Sequence, residues 1–146
     1  MTEPDRLYHL EAARSDAQRE RMEALERDRI CVFCVEHQEQ EIVHRGSHWY
    51  VTLNRYPYEG TTAHWLIVPF AHVRAFDELP DEAGAELWAI KRRLKDQSGA
   101  IATATVERSG DMRFNGGSVA HLHVHFVAPD PEPSKTVRFR VSAFAE

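Results

Sequence analysis

Three histidines alternate with apolar residues in the run from Ala120 to Val127, at His121, His123 and His125. Side chains two residues apart lie on the same face of a β-strand, so a strand here would place the three imidazoles in one row. The apolar residues between them would face the core, as expected for a half-buried strand with glycine upstream and proline downstream. Three histidines in strict alternation rarely arise from composition alone, and we expect the row to be used chemically.

The spacing of the row bears on whether it binds a metal ion. In a strand the Cα atoms of His121 and His125 lie roughly 13 Å apart, at about 3.3 Å per residue. A zinc–nitrogen bond is only about 2.0–2.1 Å long. Two neighbouring imidazoles could chelate one ion, but all three are not expected to. The row is better suited to an extended anionic group such as a phosphate chain.

A glycine-containing segment precedes the row. Asn115, Gly116, Gly117 and Ser118 follow one another, and glycines occur where a backbone turns or approaches a ligand closely. Ser118 could offer its hydroxyl and its backbone N–H to an oxyanion. Taken alone, the segment fits an ordinary Gly–Gly turn equally well, but its position beside the histidines favours the functional interpretation.

The two cysteines of the chain, Cys31 and Cys34, are three residues apart. The first five residues lack the basic and apolar regions of a secretory signal, so we expect a cytoplasmic protein. In that setting the spacing indicates a metal or redox pair and not a structural disulfide. A reduced, metal-free pair is the alternative.

Composition limits the kinds of partner. The chain has 146 residues, of which 42% are hydrophobic and 28% charged, which suits one soluble globular domain. The formal net charge of -5 argues against broad attraction to nucleic acid or to an anionic membrane. No apolar run approaches the roughly 20 residues that span a bilayer. An anionic small molecule would therefore need a local positive pocket.

The elements that must position these residues follow from the residue pattern. Residues 5–29 contain no glycine or proline and predict an exposed helix with a thin apolar stripe. Residues 77–97 predict an amphipathic helix. Strands are predicted at residues 41–45, 48–53, 64–69, 101–107, 111–114, 120–127 and 136–141. Short connections between many strands indicate an α+β fold built on an antiparallel sheet.

Four ordered motifs together resemble the histidine triad (HIT) family of nucleotide hydrolases and transferases, in its zinc-bearing bacterial-type branch. They are Cys-Val-Phe-Cys at 31–34, Leu-Asn-Arg-Tyr-Pro at 53–57, His-Trp-Leu-Ile-Val-Pro-Phe-Ala-His at 64–72, and Ser-Val-Ala-His-Leu-His-Val-His-Phe-Val at 118–127. The resemblance implies a five-stranded antiparallel sheet with one main packed helix. Residues 30–146 would form the HIT domain and residues 1–29 an N-terminal helical extension. Many relatives are twofold dimers, so a homodimer is a further expectation.

The resemblance implies roles for three histidines. His123 matches the nucleophile that attacks the α-phosphorus of a nucleotide and forms a covalent nucleotidyl-histidine intermediate. Its ring must be neutral, with one nitrogen free and the other held by a hydrogen bond. His125 and His64 match histidines that contact the α-phosphate, where charge develops in the transition state.

The same resemblance implies binding residues. Asn54 matches the residue that hydrogen-bonds the ribose hydroxyls, and Ser118 matches a position near the phosphate and the leaving group. Gly117 is also expected to lie at the phosphate-binding site, but family members often carry Gln at this position, so the chain departs from the family pattern on the leaving-group side.

In zinc-bearing relatives the cysteine pair is completed by the histidine after Pro-x-x and by the first histidine of the triad. Those positions here are His72 and His121, so the resemblance implies a closed structural zinc site formed by Cys31, Cys34, His72 and His121. Four Cys or His ligands are the set that tetrahedral zinc takes. Three histidines close to the cysteines in sequence are competing ligands: His37, His44 and His48.

Three functions follow from these expectations. The first is an enzyme that cleaves or transfers at a nucleoside α-phosphate, with no catalytic metal required. The second is a zinc-stabilised nucleotide-binding module with little turnover. The third is a zinc hydrolase with the metal on the triad.

Overall fold

The computed structural model describes residues 5–132 and 135–142, and it confirms the α+β fold. Its strands are β1 (Ile42–Arg45), β2 (Trp49–Leu53), β3 (Thr61–Pro69), β4 (Ala104–Arg108) and β5 (His123–Pro129). They form one antiparallel sheet in the order β1-β2-β3-β5-β4. The α-helices among the described residues are α1 (Asp16–Asp28), α2 (Asp81–Ser98) and the single-turn α3 (Met112–Asn115).

The two faces of the sheet bury different side chains. The main helix, α2, packs on one face, where its buried residues join a cluster with Leu122, Val124 and Phe126. This confirms the predicted core side of the histidine run. Alternation along β5 places His123 and His125 on the opposite face.

The histidine strand lies inside the sheet, between β3 and β4. Leu66 of β3 is paired with His125, and Arg108 of β4 is paired with His123. Ladder hydrogen bonds on both sides hold β5, so the two histidines project from a rigid part of the fold.

The N-terminal segment is shorter in helix and better packed than predicted. Ser15 caps α1 by accepting a hydrogen bond from the backbone N–H of Gln18, so the helix begins at Asp16 and not at residue 5. Met22 of α1 is buried in a cluster that includes Tyr8 and Cys31. The expectation of a loosely packed, exposed helix was therefore wrong for this face.

Tyr8 joins this segment to the loop that carries Cys31 and Cys34, called here the cysteine loop. It is 1% exposed, its hydroxyl donates to the carbonyl of Ile30 at 2.6 Å, and it accepts from the N–H of Val32 at 3.1 Å. Buried backbone groups need such partners. Tyr8 thereby fixes the chain on both sides of Cys31.

Two predicted strands were wrong, and one was misplaced. Residues 111–114 begin a helical turn, because the Asp111 side chain caps it and Gly116 ends it with a φ of 75°. Residues 136–141 form no strand with any described residue. The histidine strand begins at His123, so His121 precedes it and does not share its face by pleating.

The remaining differences lie at element boundaries. The α2 helix begins at Asp81 and not at residue 77, because Pro80 stands at its N-cap and Phe76–Glu78 forms a separate 3-10 turn. The β4 strand begins at Ala104 and not at residue 101. Among the described residues, no helix is long and apolar enough to cross a membrane. Residues 1–4, which entered the argument against a secretory signal, lie outside the described part of the chain.

Candidate active site and metal cluster

A pocket of about 390 Å³ opens on the sheet face that carries His123 and His125. Both histidines line it. The three residues predicted to bind nucleotide, Asn54, Gly117 and Ser118, line it as well. The structure thus brings five of the predicted site residues to one pocket.

The ring of His123 is held in one orientation by the backbone. Its Nδ1 lies 2.7 Å from the carbonyl oxygen of His121. A carbonyl only accepts, so Nδ1 carries the proton and Nε2 keeps its lone pair. Burial lowers the pKa of His123 to about 3, which keeps the ring neutral at ordinary pH. A neutral imidazole with a free Nε2 is the form that can act as a nucleophile.

His125 is held through a chain of hydrogen bonds. The backbone N–H of Tyr58 donates to Nδ1 of His64 at 3.1 Å, so the proton of His64 resides on Nε2. That Nε2–H donates to Nδ1 of His125 at 2.8 Å. His125 therefore keeps its own proton on Nε2, where it is a hydrogen-bond donor.

His64 itself lies behind His125. It is 2% exposed and acts on His125 through their shared hydrogen bond. Asn54 stands beside it: its backbone N–H donates to the carbonyl oxygen of His64 at 2.8 Å, and its side-chain oxygen accepts from the Tyr56 N–H at 3.0 Å. Asn54 thus links the pocket wall to the histidine pair.

Burial also keeps this pair neutral. It lowers the pKa of His64 to about 4, and the Arg14 charge adds to the effect. It lowers the pKa of His125 well below its usual value, and His123 and His64 contribute further. The two neutral rings can therefore share a hydrogen bond without the repulsion that two cations would have.

The predicted metal ligands converge near the start of the histidine strand. Donor atoms of Cys31, Cys34, His72 and His121 all lie within 4.8 Å of one another. The Nδ1 of His121 is 3.5 Å from Cys31 Sγ, 3.9 Å from Cys34 Sγ and 3.1 Å from His72 Nδ1, and Cys34 Sγ is 3.3 Å from His72 Nδ1. The three competing histidines lie outside this cluster.

These distances fit a tetrahedral ion. Zinc bonds of about 2.3 Å to sulfur and about 2.0–2.1 Å to nitrogen imply ligand–ligand separations of about 3.3–3.8 Å. The Nε2 of His121 lies 2.9 Å from the carbonyl oxygen of Pro69, so it carries the proton and Nδ1 keeps its lone pair for the cluster. Burial raises the pKa of both thiols, that of Cys34 to about 12. Binding a divalent cation would release their protons.

A family model for the HIT domain matches residues 35–132, roughly two thirds of the chain. The chain belongs to the HIT domain family. The sequence is 34% identical over 92 residues to the AP-4-A phosphorylase of Mycobacterium tuberculosis, in two strains. That match covers 59% of this chain and 45% of the relative, so the chain spans less than half the length of the curated relatives it matches.

Solved structures of HIT proteins share the fold. A histidine triad protein from Clostridium difficile superposes with a TM-score of 0.57 at 20% identity, covering 73% of this chain and 96% of that one. A histidine triad nucleotide-binding protein from Candida albicans superposes with a TM-score of 0.60 at 19% identity, covering 79% of this chain and 86% of that one. These likenesses confirm the predicted five-stranded sheet.

Gly117, where the chain departs from the family pattern, lies in a crowded position. A Cβ added there would lie 2.8 Å from the side-chain oxygen of Asn115, 3.4 Å from Cβ of Arg108 and 3.5 Å from Cε1 of His123. The Asn115 oxygen accepts the Gly117 N–H at 2.7 Å. A side chain at this position would therefore require the Asn115 side chain to move, whereas its contacts with Arg108 and His123 would be ordinary.

Arg108 is a pocket residue that the sequence did not predict. This guanidinium is 4% exposed, lines the pocket and comes from the strand position paired with His123. It donates to the carbonyl oxygens of Asn115 and Arg140. Its sequence context, a short strand with charged residues, predicts a solvated face, and only the strand register reveals its place beside His123.

Pocket walls outside the matched HIT domain were also not predicted from the sequence. Arg14 and Met22 line the pocket from the N-terminal side, and Arg138 and Arg140 line it from the C-terminal segment. The Phe139 ring lies 5.8 Å from the ring of His125. Both flanking segments thus take part in building the site.

Proposed function

We propose that the protein is a nucleotide hydrolase or nucleotidyl transferase that acts at a nucleoside α-phosphate through a nucleotidyl-histidine intermediate on His123. The observation that carries the proposal is the hydrogen bond between His123 Nδ1 and the carbonyl oxygen of His121. It fixes the tautomer with Nε2 unprotonated, in a ring that lines the pocket.

In the first step the Nε2 lone pair of His123 attacks the α-phosphorus. A phosphorus–nitrogen bond forms, and the bond to the leaving group breaks with its electron pair on that group. In the second step water or an acceptor hydroxyl attacks the same phosphorus. The phosphorus–nitrogen bond breaks, a proton passes from the acceptor to solvent, and His123 returns to its neutral form.

The neighbours of His123 would hold the phosphate during both steps. The Nε2–H of His125 is a donor to the phosphoryl oxygens, and His64 orients it through their 2.8 Å hydrogen bond. Ser118 would offer a hydroxyl to the phosphate near the leaving group, and Asn54 would bind the ribose hydroxyls. No catalytic metal is required, because charge on the phosphate is met by protein donors.

We assign the Cys31, Cys34, His72 and His121 cluster to a structural zinc ion. The supporting observations are the ligand set and its near-tetrahedral separations. The ion would crosslink the cysteine loop to the residue that precedes the catalytic strand. Because all four positions are protein ligands, it would not serve as a Lewis acid for substrate.

The wider setting of the protein is part of the same proposal. The substrate is a nucleotide or nucleotide conjugate. The name of the AP-4-A phosphorylase relative makes AP-4-A, diadenosine tetraphosphate, a candidate substrate for testing. We also expect a cytoplasmic protein and a homodimer. Exposed Phe76 and Trp88, near and on α2, support an interface on the face away from the pocket.

Replacement of His123 by Asn tests the proposal against a binding module with little turnover. A screen of dinucleoside polyphosphates, nucleoside phosphoramidates and nucleotide sugars would first identify a substrate. We expect the H123N variant to lose more than about 10³-fold in kcat while still binding nucleotide. Wild-type protein that binds nucleotides but turns over none of the panel would favour the binding module.

A further inference from the structure

The pocket concentrates positive charge in a chain of net negative charge. Six arginines line it: Arg14, Arg21, Arg55, Arg108, Arg138 and Arg140. Glu39 is the one carboxylate among the described residues of its wall. With neutral histidines, the wall carries an excess of five positive charges, whereas the whole chain has a formal charge of -5. A pocket of this kind attracts an anion of high charge.

Two of these arginines are already engaged with the acidic residue. Arg21 and Arg55 both donate to Glu39, at 3.0 and 2.7 Å, and together they lower the pKa of its carboxyl. The other four form no ion pair with any carboxylate in the described part of the chain. The uncompensated charge therefore belongs to Arg14, Arg108, Arg138 and Arg140.

Three of these residues, Arg14, Arg108 and Arg140, are held at the pocket by contacts that the structure shows. The Arg140 guanidinium donates to the carbonyl of Glu11 at 3.2 Å, and Arg108 donates to the carbonyl of Arg140 at 2.7 Å. On the other side, Arg14 donates to the carbonyl of Tyr56 at 2.8 Å and lies over the ring of Tyr58, 4.8 Å from its centroid. The N-terminal and C-terminal segments thus contact each other at one rim of the pocket.

Arg108 gives an independent indication of a ligand. It is 96% buried, and its Nε has no hydrogen-bond partner among the described residues. The guanidinium contacts two carbonyl oxygens and lies 5.8 Å from the centroid of the Phe139 ring, so no carboxylate that the structure describes balances its charge. Burying a charge in this way is unfavourable, and an unpaired donor adds to that cost. A phosphate would supply both a counter-charge and an acceptor, in the geometry that guanidinium groups favour.

We infer that Arg14, Arg108 and Arg140 form a subsite for the phosphates of the leaving group. The preferred substrates would then carry a chain of further phosphates on the nucleoside α-phosphate, and not a neutral amine. This inference rests on the proposed function, because it assigns the leaving-group side of the same pocket. The subsite depends on Arg14 and Arg140, which lie outside the matched HIT domain.

Kinetics on two substrates with different leaving groups test the inference. Both substrates present an adenosine α-phosphate, but their leaving groups differ. Diadenosine tetraphosphate releases a polyanion, and adenosine 5′-phosphoramidate releases ammonia. For Arg14→Gln and Arg140→Gln, we expect the ratio of kcat/KM on the first substrate to kcat/KM on the second to fall at least tenfold. Glutamine removes the charge but is too short to keep the Nη2 hydrogen bonds to Tyr56 and Glu11. A structural loss would lower kcat/KM on both substrates, so the ratio isolates the effect of the charge.

Two matched variants complete this experiment. Arg14→Lys should recover most of the ratio, because it restores the charge. Arg93→Gln removes an exposed arginine from α2, on the other face of the sheet, and should leave the ratio within twofold. An unchanged ratio in both pocket variants, or a fall as large in Arg93→Gln, would overturn the subsite.

A binding measurement separates failure of the subsite from failure of the proposed function. Inorganic tripolyphosphate is titrated calorimetrically into His123→Asn protein, with and without Arg14→Gln and Arg140→Gln. We expect the double substitution to weaken binding at least tenfold, even where no substrate is turned over. Equal affinity with and without the substitutions would overturn the subsite, whether or not the wild type is an enzyme.

Discussion

His121 and His123 are linked through the backbone: the carbonyl oxygen of His121 accepts the Nδ1–H of His123 at 2.7 Å. The ring of His121 belongs to the metal cluster, with its Nδ1 3.5 Å from Cys31 Sγ. His121 therefore contacts the His123 ring through its main chain and joins the candidate metal ligands through its side chain. A metal ion bound there would fix the carbonyl on which the His123 tautomer depends.

Removal of the metal should lower the stability of the fold and should reduce activity only through unfolding. We expect one zinc ion per chain by elemental analysis, and Cys31→Ser should abolish it and lower the free energy of unfolding by more than about 2 kcal/mol. Activity should fall in proportion to the folded fraction, followed by circular dichroism. His37→Ala is the control, because this residue is close to the cysteines in sequence and outside the cluster. Instant loss of activity in fully folded, chelated protein would instead indicate catalytic zinc.

The pH dependence of kcat/KM reports the neutral histidine pair. Burial lowers the pKa of His64 to about 4 and that of His125 well below its usual value. His64 therefore becomes charged only as the pH falls towards 4, and His125 stays neutral well below the ordinary histidine value. We expect kcat/KM on a substrate without a group titrating in this range to be flat from pH 8 to about 5, and then to fall. An inflection near pH 6.5, the ordinary histidine value, would contradict this account.

The sequence was sufficient for some parts of the site because those parts depend on local pattern. Period-two alternation identified His123, His125 and the core residues between them, since pleating alone sorts the two faces. The His121 position was harder to place, because the chain enters the sheet only at His123. The motif resemblance, and not the pattern, led to its grouping with the cysteines.

Other parts could not be read from the sequence because they depend on strand register and chain ends. Arg108 becomes a pocket residue only because β4 pairs with β5 in a register that sets it beside His123. Arg14 and Arg140 meet the pocket from segments 126 residues apart in sequence. Nothing in their local sequence distinguishes them from solvated surface arginines.

Tyr8→Phe tests whether the N-terminal segment supports the cysteine loop. The substitution leaves the buried carbonyl of Ile30 and N–H of Val32 without their partner. We expect the free energy of unfolding to fall by about 1–3 kcal/mol and zinc to be lost at a lower chelator concentration. Tyr56→Phe, at a more exposed ring, is the matched control. Equal stability of the Tyr8 and Tyr56 variants in urea titrations would argue against this support.

Gly117→Gln introduces the residue that family members often carry and tests the crowding seen here. Its Cβ would lie 2.8 Å from the side-chain oxygen of Asn115, so that side chain, which accepts the Gly117 N–H, must shift, whereas the 3.5 Å approach to His123 Cε1 is an ordinary contact. We expect kcat/KM to fall at least about tenfold, a size that small displacements of reacting groups produce. Gly84→Gln, at a helix position with open space around it, should change kcat/KM less than twofold. Increased activity in Gly117→Gln would show that the loop readily accepts the family residue.

The most direct test of the account is to trap the intermediate. Wild-type protein is mixed with diadenosine tetraphosphate or adenosine 5′-phosphoramidate, quenched within milliseconds under alkaline denaturing conditions that preserve phosphorus–nitrogen bonds, and mapped by peptide mass spectrometry. We predict an added adenylyl group on the peptide that contains His123, located on that residue by fragmentation and lost in the H123N variant. Steady turnover with no adduct at any time point, or an adduct on another residue, would contradict the central claim.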